Sequence, residues 1–178
     1  MRHALKLHPD SRCVAATQIE ADVARPSPGR LTLRYVLSGT LRDLRVPPPA
    51  AAERADELWQ HTCFEAFVSA SPGGAYYELN FAPSLQWAAY RFGGYRSAMC
   101  VAHEIAAPRI AVKSNGASLA LEAALELPGL ASDPIWHLGL SAVIEETNGQ
   151  KSYWALAHPP GKADFHHSDC FVLELAGA

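Results

Sequence analysis

Phosphate-cradling glycine loops, paired metal-binding cysteines, long apolar runs and a surplus of either charge are all missing from this chain of 178 residues. Neither a GxGxxG opening a helix nor a GxxxxGK[ST] loop occurs, which removes the usual nucleotide-binding architectures. Four cysteines, Cys13, Cys63, Cys100 and Cys170, lie far apart without a CxxC pair. A structural zinc site is not expected from them, and buried free thiols are. No segment approaches the length of a membrane span, and MRHALKLHPDSR at the start lacks a secretory apolar region, so the expectation is a cytoplasmic protein of a bacterium. The formal charge is only −3. With the basic residues scattered, nucleic acid and anionic membranes are not expected partners.

What the chain does have is a hydrophobic fraction of 49% against 19% charged residues, the balance of one globular domain over residues 1–178. RLTLRYVLSG alternates Leu31, Leu33, Tyr35 and Leu37 with Thr32, Arg34, Val36 and Ser38, a period of two that a helix cannot produce. TCFEAFVSA divides in the same way, with Phe64, Ala66 and Val68 on one face and Glu65 and Phe67 on the other. The turn PGG leads into AYYELNF, and LQWAAYRF follows FAPS, so residues 62–92 read as an antiparallel meander. SLALEAALELPGL is rich in helix formers, yet its leucines alternate and NG and PG bound it, which favours a strand. WHLGLSAVIEE and KSYWALAHP flank Asn148-Gly149 as a second hairpin, and CFVLEL closes the chain. Residues 50–58, AAAERADEL, are expected to form one short helical segment. The fold class is therefore all-β, an antiparallel β-sandwich of jelly-roll or immunoglobulin-like form.

Four stretches in order, LWQHTCFEAFVS, YYELNFAPSLQWAAYRF, LEAALELPGL and SYWALAHPPGKADFHHSDCFVLEL, resemble the DOMON-like family, which includes family 9 carbohydrate-binding modules and haem-binding cytochrome domains. The resemblance rests on Trp59 before a strand with a central Glu65, a Tyr-Tyr-Glu strand running into Asn-Phe-x-Pro, Glu122 on a strand ended by Pro128, and Asp164-Phe165-His166 before a last strand. It implies two antiparallel sheets holding a small ligand: a saccharide gripped by aromatic rings, with calcium in some members, or haem b on a Met and His pair. It also implies binding rather than catalysis.

Sugars need flat ring faces against their C–H patches and planar polar groups on their hydroxyls. Trp59, Tyr76, Trp87 and Trp154 are candidate rings, with Glu65, Glu78, Asn80, Arg91 and Arg96 as polar partners; the alternative is that such rings are half-buried sheet residues. Glu65 and Glu78 each interrupt an apolar strand, where a charge must be paired or used. They could face Arg34, Arg91 or Arg96, contact a ligand, or join Asp164 or Asp169 around calcium. HPPGKADFHHSDC, residues 158–170, concentrates His158, His166 and His167 without any fixed metal-ligand spacing, and reads as a loop closing the rim of a binding face. A haem would pair Met99 with one of these histidines or with His103. Cys63 and the Glu65/Glu78 pair could be drawn as a nucleophile or as glycosidase acids, without a geometry to support either. A protein-interaction module that keeps the fold without a pocket is the third reading.

Overall fold

Alternation of apolar and polar residues becomes twelve strands in the computed structural model, which describes residues 2–177. They are β1 (Arg2–Leu7), β2 (Ala16–Ser27), β3 (Arg30–Gly39), β4 (Cys63–Ser69), β5 (Tyr76–Phe81), β6 (Trp87–Phe92), β7 (Cys100–Val101), β8 (Arg109–Ser114), β9 (Ser118–Glu126), β10 (Ile135–Glu145), β11 (Lys151–Ala155) and β12 (Leu173–Ala176). The first sheet runs β1-β2-β3-β9-β8 and the second β7-β6-β5-β4-β10-β11-β1. All the pairings between these strands are antiparallel. β1 belongs to both sheets, joining Ile19 on one side through Leu5 and Trp154 on the other through Leu7, so the sandwich is curled shut along this side. β12 pairs with the N-terminal half of β10 while β11 pairs with its C-terminal half.

The inner faces interdigitate as the alternation requires. Leu31, Tyr35, Leu37 and Leu121 from the first sheet pack against Phe64, Leu79, Phe81 and Leu138 from the second. One polar contact crosses this layer: the Tyr35 hydroxyl donates to the Glu65 carbonyl at 2.7 Å. At one end Trp136 donates its indole N–H to the Leu130 carbonyl at 2.9 Å, and Arg25 lies over the ring at 4.0 Å while donating to the Asp133 carbonyl. A buried guanidinium is tolerated there because carbonyl oxygens and a ring face replace its water.

β4 breaks the half-buried pattern, since all seven of its residues are buried. Phe64, Ala66 and Val68 enter the main core, and Phe67 belongs to a second apolar cluster on the outside of the second sheet. That cluster holds Tyr76, Tyr90, Phe92, Val143 and Phe165, with Leu58, Trp59, Tyr153 and Phe171 packed against it. The outer surface is thus covered by the 3₁₀ turn Leu58–Gln60 and by the loop that carries Phe165 and Phe171.

The helix expected over residues 50–58 does not form; only Leu58–Gln60 makes a 3₁₀ turn. The preceding residues lie along β6, with Ala55 N donating to the Trp87 carbonyl at 2.9 Å and Trp87 N to the Glu53 carbonyl at 3.1 Å. Arg54 holds them there by donating to the carbonyls of Ala89, Ala102 and Ile105 and by lying over the Trp87 ring. Three carbonyl contacts and a ring face outweigh helix propensity, which is worth only tenths of a kcal/mol per residue.

Gly39 ends β3 with φ +155°, and a Cβ there would stand 2.0 Å from the Ala15 carbonyl oxygen, so backbone must move. Gly39→Ala is expected to cost about 2–3 kcal/mol, read as a fall of roughly 5–10 °C in the thermal midpoint. An unchanged midpoint would mean that the β2 and β3 ends are looser than their packing shows.

Candidate functional site

Residues 65, 67, 76, 78 and 80 alternate onto the outer surface of the second sheet, and the register then decides who meets whom. Glu65 stands between Asn80 on β5 and Ser141 on β10. Glu78 stands between Phe67 and Tyr90, Tyr76 between Ser69 and Phe92, and Val143 opposite Tyr153. Above this row, between the covering segments, is a cleft of about 510 Å³ lined by Trp59, Phe67, Phe92, Tyr153 and Phe165 among the rings and by Glu65, Glu78, Arg96, Lys151 and His166 among the polar groups. That volume lies in the range of small-molecule sites.

Two carboxylic acids form its floor. Glu65 is 2% exposed and receives the Ser141 hydroxyl at 3.2 Å. Burial, reinforced by the neighbouring Glu78 charge, pushes its pKa up to about 8. Glu78 is also raised by burial, although Asn80 Nδ2 donates to it at 2.8 Å and Arg96 opposes the rise. His166 is pushed down to about 4, chiefly by burial and then by Arg96. Its ring is therefore neutral near pH 7. Arg96 N donates to the Tyr76 hydroxyl at 3.3 Å, and that hydroxyl lies 2.8 Å from His166 Nδ1. The tautomer that completes this chain has Nδ1 accepting and Nε2–H directed to the Glu78 side, where the carboxylate is 3.6 Å away.

Asp164 binds the rim. Arg96 donates to it from Nη2 at 2.7 Å and from Nε at 3.2 Å, His166 N donates at 3.2 Å, and the Tyr95 hydroxyl also donates. Burial opposes ionisation, but these donors hold its pKa below the usual carboxylate value. The turn bearing Tyr95 and Arg96 is thereby tied to the loop bearing His166. Arg96 adopts φ +48° and Ala98 φ +49°, a conformation that costs non-glycine residues energy and that the Asp164 contacts help to hold.

Of the residues singled out in the sequence, Trp59, Glu65, Glu78, Arg96 and His166 line this one cleft. Tyr76 and Asn80 lie on the same surface beside it. Trp87 and Trp154 are elsewhere: both rings are in the main core, Trp87 beneath Arg54 and Trp154 donating to Ser152 Oγ at 3.0 Å. Arg91 stands opposite Tyr77 on the other parity of β6, exposed, with its guanidinium 3.4 Å from Glu104. His158 Nε2 lies 2.8 Å from the Lys6 carbonyl, with its ring against His8, and locks the loop outside the cleft. Tyr153, Phe165 and Lys151 were not picked out as site residues. The available signal was the parity of β11, which puts Tyr153 on the opposite face from Trp154.

Among the described residues no three His, Cys, Asp or Glu side chains converge to hold a metal ion. Asp164 is engaged by Arg96, and Asp169 is exposed, with His167 Nδ1 3.6 Å away, so the carboxylates considered for calcium do not assemble. Met99 and His166 do line the same cleft, where Nδ1 of His166 is 2.8 Å from the Tyr76 hydroxyl and Nε2 is 3.6 Å from Glu78. Cys63 is wholly buried, and burial together with the Glu65 charge raises its pKa, so it is held as a thiol. On the outside of the first sheet a depression of about 470 Å³ has no aromatic lining, and its Arg34 and Glu122 lie 3.3 Å apart across the strands.

A protein from Bacteroides uniformis ATCC 8492, provisionally described as carbohydrate-binding, superposes with TM-score 0.73 at 13% identity, covering 100% of this chain and 86% of the other. The chain shares the fold of carbohydrate-binding modules. A family 9 module from Caldicellulosiruptor kristjanssonii in complex with cellotriose gives TM-score 0.62 at 11% identity over 100% of this chain and 83% of the module. A family 9 module from the same organism in complex with glucose gives 0.55 at 10% identity, over 98% and 84%. No family profile matches the chain, and no curated protein sequence matches it.

Glu65 and His166 impose opposite pH dependences. Between its ordinary 4.5 and about 8, the folded chain keeps the Glu65 proton that the unfolded chain loses, so raising the pH through that window lowers stability. For His166 the folded chain binds fewer protons between about 4 and 6.5, so stability falls as pH drops through that range. Glu65→Gln mimics the neutral acid, and its melting temperature is expected to fall at most half as much as the parent's between about pH 5 and pH 8. Equal slopes in differential scanning calorimetry would show that Glu65 is ionised in the folded chain.

Proposed function

We propose that the chain is a non-catalytic saccharide-binding domain of the DOMON-like group, with its site in the cleft on the outside of the second sheet. The observation that carries this reading is the combination in one cleft of Trp59 and Tyr153 with Glu65, Glu78, Arg96 and His166. Ring faces accommodate the C–H patches of a pyranose, and the carboxyl, guanidinium and imidazole groups hydrogen-bond its hydroxyls. Trp59 is braced edge-on against Tyr90 at 5.9 Å, and Tyr90 in turn donates to Asp56 at 2.6 Å, so this wall is held before a ligand arrives. The neighbours solved with cellotriose and glucose support a sugar as the ligand class.

Thermal unfolding in the presence of glucose and cello-oligosaccharides tests the reading. A sugar at about a hundred times its dissociation constant adds roughly 2.7 kcal/mol and raises the midpoint by about 5–10 °C. Trp59→Ala and Tyr153→Ala are expected to remove the shift, whereas Arg34→Gln on the other sheet keeps it. A flat response across mono- and oligosaccharides overturns the proposal.

A further inference from the structure

The floor of the cleft holds two buried acids without a basic side chain to pair them. Glu65 and Glu78 both line the cleft, at 2% and 6% exposure. Glu65 has the Ser141 hydroxyl, and Glu78 has the Asn80 amide and the neutral His166 ring. Among the described residues neither carboxylate lies within 4.0 Å of a lysine or arginine nitrogen. Beside Glu65, behind the lining of the cleft, stands a further buried acceptor. Asn80 is fully buried on the same surface, opposite Glu65, and its Oδ1 has no donor.

The other charged or titratable groups facing this floor do not pair the acids. Arg96 is spent on Asp164 at 2.7 Å, and Lys151 is exposed at the rim of β11, opposite Glu145 in register. From beneath, Tyr35 contributes its hydroxyl to the Glu65 backbone, and Cys63 on β4 is a thiol. His166 is neutral and already bonded to Tyr76. Two buried acids beside an unmet acceptor, walled by Trp59, Phe67, Phe92, Tyr153 and Phe165, form the surroundings that stabilise an organic ammonium ion.

We propose that the cleft selects an amino sugar, its protonated amine seated between Glu65 and Glu78 and its ring on the aromatic wall. The assignment rests on the saccharide reading and narrows it. The –NH₃⁺ group brings three donors and the missing positive charge, while N-acetylation removes the charge and adds bulk. Because the apo site stores a proton on its acid pair near neutral pH, seating the ammonium expels that proton to solvent: one cation enters and one proton leaves.

The test is titration calorimetry at pH 7 with glucosamine, glucose, N-acetylglucosamine and cyclohexylamine, each in two buffers of different ionisation enthalpy. Glucosamine is expected to bind at least tenfold more tightly than glucose or N-acetylglucosamine, with an apparent enthalpy whose buffer dependence reports release of about one proton. Glu65→Gln is expected to abolish the proton release and bring the glucosamine-to-glucose ratio within about twofold. Glu78→Gln, expected to lower the same ratio, serves if the first variant does not fold. Equal affinities for glucosamine and glucose overturn the inference and leave the saccharide reading standing. Cyclohexylamine binding as tightly as glucosamine supports the ammonium seat and overturns the saccharide reading. No binding by any of the four overturns both.

Discussion

One sheet with two buried surfaces is the constraint on which the rest of the molecule depends. β4 lies at the middle of it, flanked by β5 and β10, and has no solvent-facing side. Every second residue of β4, β5 and β6 has to serve the core between the sheets, and the alternate set has to build a surface of its own beneath the covering loops. An ordinary sandwich solves the second problem by putting polar residues in water. Here the alternate set is Phe67, Tyr76, Tyr90 and Phe92 together with Glu65, Glu78 and Asn80, a layer too apolar to be left exposed and too polar to be sealed. The result is a partly covered cleft.

That compromise has an electrostatic consequence. An acid 2% exposed without a counter-charge can keep its place only by staying protonated, and Glu65 does so to about pH 8. His166 meets the same burial from the other side by remaining neutral down to about pH 4. Glu65 and His166 are thus both uncharged near neutral pH although both are ionisable. At the rim the opposite choice is made, since Asp164 is ionised and clamped by Arg96, Tyr95 and the His166 backbone. The rim carries the ordered ion pair, and the floor carries the unmet hydrogen-bonding capacity.

The strands were legible because alternation is a local property. Leu31 to Leu37, the 62–92 meander and the leucine alternation of β9 all appear in the fold with the faces that the period of two assigns. Glu65 and Glu78 were conspicuous for the same reason, as charges in apolar strands. The tryptophans were less legible. Trp87 and Trp154 have the composition of a sugar platform but the parity of the core, and the ring that reaches the cleft beside Trp154 is its neighbour Tyr153. Residues 50–58 show the complementary failure, for their helical composition is overridden by Arg54 finding three carbonyls and the Trp87 ring across the chain.

The chain by itself determined the all-β class, the order of the hairpins and the two acids that interrupt apolar strands, because each follows from neighbours within a few residues. Only the tertiary structure decided which surface of the second sheet is covered, that Trp59, Tyr153 and His166 from three distant segments enclose one cleft, and that Arg96 is claimed by Asp164 instead of by the acids on the floor. Those outcomes depend on strand register and on which loop folds over which strand. Such choices are made by packing across the whole chain, and no window of sequence contains them.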